Sequence, residues 1–143
     1  MIDLDLIISN KISMDDYLKE EYFVYFLLDG EEIVYVGKSI NYHQRLKAHS
    51  KNKKFDSYYL LKCKNEKEMD ILEFDFIVKF EPKYNSVLPA SEYYFSVNKI
   101  KEKLNIGAWD FKRFVKREKV TPIANLSGNL YYDIRKFEGL ICK

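Results

Sequence analysis

The chain of 143 residues carries 24 basic and 22 acidic side chains, a net charge of +2, and is 47% hydrophobic and 32% charged. That suits one ordinary domain or two very small ones and excludes a disordered chain, whose apolar groups could not offset the entropy of ordering. Five Gly and three Pro exclude collagen-like and low-complexity classes, and the longest apolar run, Phe23 to Leu28, falls far short of the roughly 20 residues that span a bilayer.

The N-terminus holds Asp3 and Asp5 and no basic stretch, so it does not read as a secretory signal. Ser13, with Asp16 three residues on, marks the start of a short helix over 13–20. Residues 22–28 and 32–36 are aromatic and β-branched and flank Asp29-Gly30, which predicts a hairpin. Ser39 is placed to cap a helix over about 40–50, and 57–63 reads as a third strand. Asn65 caps a long helix, Glu66 to Phe80, with Glu68 at the capping-box position, and Pro82 ends it. Pro89-Ala90-Ser91 marks a boundary. Beyond it, helical patterns cover about 97–104 and 108–118, joined by Asn105-Ile106-Gly107. A hairpin follows around Ser127-Gly128-Asn129, and a last helix at about 133–138.

The order strand–strand–helix–strand–helix predicts an α/β (α+β) class with a small, mainly antiparallel three-stranded sheet flanked by helices. The divisions are 1–20 as a helical extension, 21–89 as the sheet-containing domain and 90–143 as a small C-terminal module. Cys63 and Cys142 have no metal-ligand spacing, which points to a reduced, cytoplasmic compartment. Charge is uneven along the chain. Residues 21–89 hold eleven groups of each sign, whereas 90–143 hold eleven basic and six acidic groups, a net of +5. A basic C-terminal segment suits a polyanionic partner; the alternative is a solvated lysine-rich surface.

Glu73 is the most telling residue. On a helical wheel it falls inside the apolar stripe of Met69, Leu72, Phe76, Ile77 and Phe80, while Glu68, Asp70 and Asp75 fall outside. A carboxylate facing the core is costly unless paired or bound to a metal. Arg45 and His49 are spaced i, i+4 on one face of the preceding helix. Arg suits a phosphate and His relays protons near neutral pH; His43 reads as an ordinary exposed residue. The hairpin holds Tyr25 and Tyr35. Gly37 permits close approach, and Lys38 is placed to bind phosphate or lower a phenol's pKa.

In this order and spacing the chain resembles the GIY-YIG endonuclease superfamily over about residues 22–88. The first motif half matches Phe23-Val24-Tyr25 and the second Tyr35-Val36-Gly37. Arg45 follows ten residues later, His49 stands where many members carry His, and Glu73 matches the metal-binding Glu. Asn85, in Glu81-Pro82-Lys83-Tyr84-Asn85, matches the terminal Asn. One departure is plain: Phe23 stands where the first half has Gly.

The resemblance implies a metal-dependent DNA endonuclease with Tyr25, Tyr35, Lys38, Arg45, His49, Glu73 and Asn85 as site residues. Glu73 would hold one divalent ion, Mg²⁺ or Mn²⁺, with a tyrosinate or His49 as base. Residues 90–143 look more loosely like a helix-turn-helix module with a wing, carrying Lys112, Arg113, Lys116 and Arg117 toward DNA. The implied partner is double-stranded DNA, with no membrane and no small-molecule cofactor, and the protein is expected as a monomer or transient dimer. The architecture suggests a phage or mobile-element homing or restriction-type enzyme, with localisation in the host cytoplasm if phage-encoded. The rivals are a non-catalytic DNA-binding regulator on a degenerate scaffold and a structure-specific repair nuclease.

A single site needs both tyrosines on one face of the hairpin. A strict two-residue turn at Asp29-Gly30 would pair Val24 with Tyr35 and part the tyrosines. A three-residue connection, Leu28-Asp29-Gly30, with Gly30 left-handed and bulged, is therefore expected. It pairs Leu27 with Glu31 and Phe23 with Tyr35.

Overall fold

The structure, a computed structural model, describes residues 4–9 and 21–141. The expected helix at 13–20 lies outside the described residues. A short helix α1 runs over Leu4–Ser9.

Strands β1 (Tyr22–Asp29), β2 (Glu32–Ser39) and β3 (Ser57–Cys63) form an antiparallel sheet in the order β2-β1-β3. Helix α2 spans Tyr42–His49 and helix α3 spans Glu66–Phe80. Alternation along β1 serves both faces of the sheet. Val24 and Phe26 join Val36 and the α3 residues Met69 and Ile77 in one core. Tyr25 and Leu27 join Val34 on the other face, covered by Leu46 of α2 with Phe55, Leu60 and Tyr84.

Helix α3 begins where its cap predicts, with the Glu68 N–H donating to Asn65 Oδ1 at 2.9 Å. It ends at Glu81, which turns left-handed (φ 43°) just before Pro82. Its buried residues are Met69, Glu73 and Ile77, one every four residues. Helix α2 starts later than Ser39 suggests. The Ser39 hydroxyl instead accepts the Asn41 N–H at 2.8 Å, closing the turn that leads into the helix.

The hairpin corrects one expectation and meets its purpose. Asp29 pairs with Glu32 across a two-residue turn, Gly30-Glu31, and Gly30 has φ 64°. The connection is therefore not Leu28-Asp29-Gly30, and Tyr35 faces Leu27 rather than Phe23. The register shifts between Leu27, opposite Tyr35, and Leu28, opposite Ile33, so Val34 is an extra residue on β2. That bulge reverses the facing of everything beyond it. Tyr25, opposite Gly37, then shares its face with Tyr35, as a single site requires.

The C-terminal part contains β4 (Tyr94–Ser96), α4 (Val97–Leu104), α5 (Ala108–Glu118), β5 (Ala124–Leu126) and β6 (Asn129–Asp133). A 3-10 turn over Ile134–Phe137 leads into α6 (Glu138–Ile141), later than the helix expected at 133–138. The cause is Asp133, which stays extended and accepts the Arg135 N–H at 3.0 Å as a cap. Asn105 (φ 51°) ends α4. Ser127 (φ 53°) and Gly128 (φ 90°) make the tight β5–β6 turn.

The second sheet runs β4-β6-β5. Its Tyr132 packs with Ile100, Phe111, Phe114 and Phe137. The adjacent Tyr131 points the other way, into the core of the first sheet with Ala124 and Leu126. Polar contacts follow the same seam, including Asn125 N–H to Glu81 Oε2 at 2.8 Å and Leu88 N–H to Tyr131 Oη at 3.2 Å. Among the described residues no helix is long and apolar enough to cross a membrane.

Candidate active site

The site forms around the outer edge of β2. An edge strand presents backbone groups that must find partners, and β2 finds them in residues that follow it in the chain. The Val34 carbonyl accepts the Tyr84 N–H at 3.0 Å. The Val36 N–H donates to Asn85 Oδ1 at 2.9 Å, and the Val36 carbonyl accepts Asn85 Nδ2 at 3.0 Å. The Lys38 backbone N–H favours the charged form of the Glu73 carboxylate. Asn85 therefore acts through the backbone between Tyr35 and Gly37 and positions both.

Asn85→Leu should fill the space while leaving the buried Val36 N–H and carbonyl unpaired. The expected loss is about 2–4 kcal/mol of stability, read from denaturant unfolding. A loss under about 1 kcal/mol would mean that water takes over the edge.

Glu73 reaches the same edge from α3 and is 8% exposed. Burial pushes its carboxyl above the usual carboxylate range. Asp70 pushes the same way, and the charges of Lys38 and Arg45 with the Lys38 N–H pull back. The Lys38 ammonium lies 2.5 Å from Asp70 Oδ1, so Lys38 belongs to the acidic side of the site and not to either phenol.

On the other face, Tyr25 Oη lies 2.8 Å from His49 Nε2. The Tyr25 and Tyr35 ring centroids are 6.0 Å apart, and Tyr35 and His49 are 4.6 Å apart. Burial, then the neighbouring Tyr35 hydroxyl, holds Tyr25 protonated well above the usual phenol range, and burial raises Tyr35 too. His49 moves the opposite way. Burial first, then the charges of Lys53 and Arg45, lower its pKa. A neutral imidazole protonated at Nδ1 accepts the phenol proton at Nε2, and the lowered His49 pKa favours the neutral ring.

Gly37 lies beneath both tyrosines. A Cβ there would meet Tyr25 Cζ and Oη at 2.5 Å and Tyr35 Cε1 at 2.8 Å. Close approach of the rings to the backbone explains why glycine stands here.

Arg45 is exposed and makes no hydrogen bond or ion pair among the described residues, yet its charge acts on Tyr25, Tyr35, His49 and Glu73. It is an exposed cation whose charge reaches the whole cluster. Phe23, in the place of a motif glycine, packs edge-on against Tyr42 at the start of α2, with centroids 5.2 Å apart. His43 stacks on Tyr42 away from the site.

Sequence reasoning missed Lys53 and assigned no role to Asp70. Lys53 Nζ lies 5.0 Å from the Tyr35 ring centroid and lowers His49. It stands in the loop after α2, where no motif or periodicity marks it. Asp70 had a usable signal, since it lies one turn before Glu73 on α3.

Lys112, Arg113, Lys116 and Arg117 are exposed on α5, apart from this cluster. Arg113 lies 3.7 Å from Asp110, and Arg117 lies 3.1 Å from Glu118.

Half of the chain is similar to UvrABC system protein C. The proteins of that name from Fervidobacterium nodosum and Thermosipho africanus are each 36% identical over 80 residues, which is 50% of this chain and 14% of the relative. The chain thus spans about a seventh of the length of these curated relatives. No family model matches the chain, and no solved structure does.

Proposed function

We propose that the chain is a metal-dependent DNA endonuclease of GIY-YIG type. One observation carries the reading: Tyr25 and Tyr35 close over Gly37 with Tyr25 hydrogen-bonded to His49, and the charge of Arg45 acts on both tyrosines, on His49 and on Glu73. Similarity to UvrABC system protein C supports a GIY-YIG-type nuclease and favours a structure-specific repair role over a homing or restriction role.

The residues fit a hard divalent cation. Glu73 offers a single buried carboxylate, a hard oxygen donor. That matches Mg²⁺, which keeps several waters and takes one or two carboxylates plus substrate phosphate. Glu73 would hold the ion, which when bound supplies charge stabilisation to the phosphate.

The remaining steps use the chain's own atoms. Arg45 binds a non-bridging phosphate oxygen through its guanidinium fork and stabilises the charge that grows there. A water attacks phosphorus and gives its proton to Tyr25 Oη as the Tyr25 proton passes to His49 Nε2. The new P–O bond forms as the opposite P–O bond breaks, and the leaving oxygen takes a proton from solvent. His49, now imidazolium, returns its proton to solvent. Lys112, Arg113, Lys116 and Arg117 on α5 hold the duplex by phosphate contacts, and their joint replacement by Ala weakens binding and its salt dependence.

Supercoiled plasmid with Mg²⁺ tests the reading. Nicking that EDTA abolishes and that Arg45→Ala loses is expected. Binding without cleavage would replace it with the DNA-binding regulator.

His49 also predicts a pH effect. The neutral imidazole accepts the proton, so cleavage falls as pH drops through the His49 pKa, which lies below the ordinary value. Lys53→Ala removes one of the two cations that lower it, so the acid limb should move to higher pH with the plateau unchanged. Lys53 is not among the groups that shift Glu73, so an unmoved limb would take His49 out of the proton path.

A further inference from the structure

Trp109 is the single tryptophan of the chain and is 74% exposed. It stands in the first turn of α5, an eleven-residue helix whose Phe111 and Phe114 are buried on the opposite side. Lys112, Arg113 and Lys116 follow Trp109 at i+3, i+4 and i+7, so they share its face of the helix, one and two turns toward the C-terminus. Arg113 is 66% exposed, and Lys112 and Lys116 are exposed with no ion pair among the described residues. No aromatic ring and no cation lies against the indole among the described residues.

An open indole beside a run of cations is not complementary to an apolar protein surface, which would leave the cations desolvated. Its chemistry matches a polyanion that also offers a flat ring. In a paired duplex the base faces are covered by their neighbours, and only edges reach the groove. A base face is open to an indole only where the strand is single or locally unpaired.

We infer that Trp109 stacks on an unpaired DNA base while Lys112, Arg113 and Lys116 hold the flanking phosphates. The inference rests on the reading of residues 90–143 as DNA-binding and narrows the substrate to DNA with unpaired nucleotides. α5 then serves as a detector of disrupted pairing, set apart from the residues that break the bond.

The full chain tests this in EDTA, where no cleavage occurs. Labelled DNA is offered as a single strand, as its perfect duplex, and as that duplex with a two-nucleotide bulge. Anisotropy reports binding, and the emission of the sole tryptophan reports stacking. The expected result is quenching of at least about twofold by the single strand and the bulge, and little by the perfect duplex. Trp109→Ala should weaken bulge binding about tenfold and leave duplex binding within about twofold, while Trp109→Phe retains part of the preference. Binding with unchanged emission would overturn the inference, as would a Trp109→Ala loss equal for all three DNAs. No binding to any of them at low salt would overturn the DNA-binding reading beneath it as well.

Discussion

Gly37→Ala is expected to remove most cleavage and to lower stability. The added Cβ would sit 2.5 Å from Tyr25 Cζ and Oη, well inside contact distance. The Tyr25 ring cannot swing away cheaply, because Tyr25 is 2% exposed and its hydroxyl is held by His49. Either the ring or strand β2 must shift. Overpacking of this kind costs about 1–3 kcal/mol, and a displacement near 1 Å of a reacting group costs about a hundredfold in rate. Thermal unfolding and plasmid nicking measured on the same preparation check both effects. Wild-type melting with wild-type nicking would show that the tyrosines do not depend on their contact with Gly37.

Glu73→Gln separates chemistry from fold at the opposite edge. The side chain keeps its size and its place on the buried stripe of the helix. The charge that burial opposes is gone, so stability should hold or rise by about 1 kcal/mol. Divalent-ion-dependent nicking should fall by at least about a thousandfold, because the variant loses the anionic ligand and with it the charge stabilisation of the phosphate. Nicking at the wild-type rate would remove Glu73 from the metal role. A variant that unfolds would show instead that the fold requires the carboxylate.

Much of the local structure was legible because local signals are strong where caps and periodicity agree. Asn65 and Pro82 bracket α3, and Gly107 separates α4 from α5. The stripe of α3 exposed Glu73 as a buried carboxylate before any neighbour was known, since a 3.6-residue period places it among Met69, Phe76 and Ile77. Ser39 and the last helix were misjudged by a few residues. At both places a short polar side chain had two backbone partners within reach, and folding chose the turn over the helix.

The hairpin shows where such reasoning stops. Two tyrosines serving one site must share a face, and that parity was readable. The device that achieves it was not. The Gly30 N–H donates to Asp56 Oδ2 at 3.0 Å, and the Asp56 N–H donates to the Leu28 carbonyl at 2.9 Å. The turn is thus fixed by the residue that precedes β3, distant in sequence but beside the turn in the sheet, and the odd residue moves into the bulge at Val34. Lys53 was invisible for a similar reason: a cation in a loop has meaning only once the Tyr35 ring beneath it is placed.

The sequence by itself determined most of the elements from Tyr22 to Glu118, the burial of Glu73 and the basic run on α5. Each depends on periodicity, capping or composition within a short stretch. The tertiary structure alone decided that β2 lies at the edge of its sheet. It also decided that Tyr84 and Asn85 complete that edge, and that Tyr131 and Tyr132 divide between two cores. An edge exists only relative to the strands that are absent beside it. Its unpaired backbone groups gather partners from whatever the fold brings near, and no local pattern records which residues those will be.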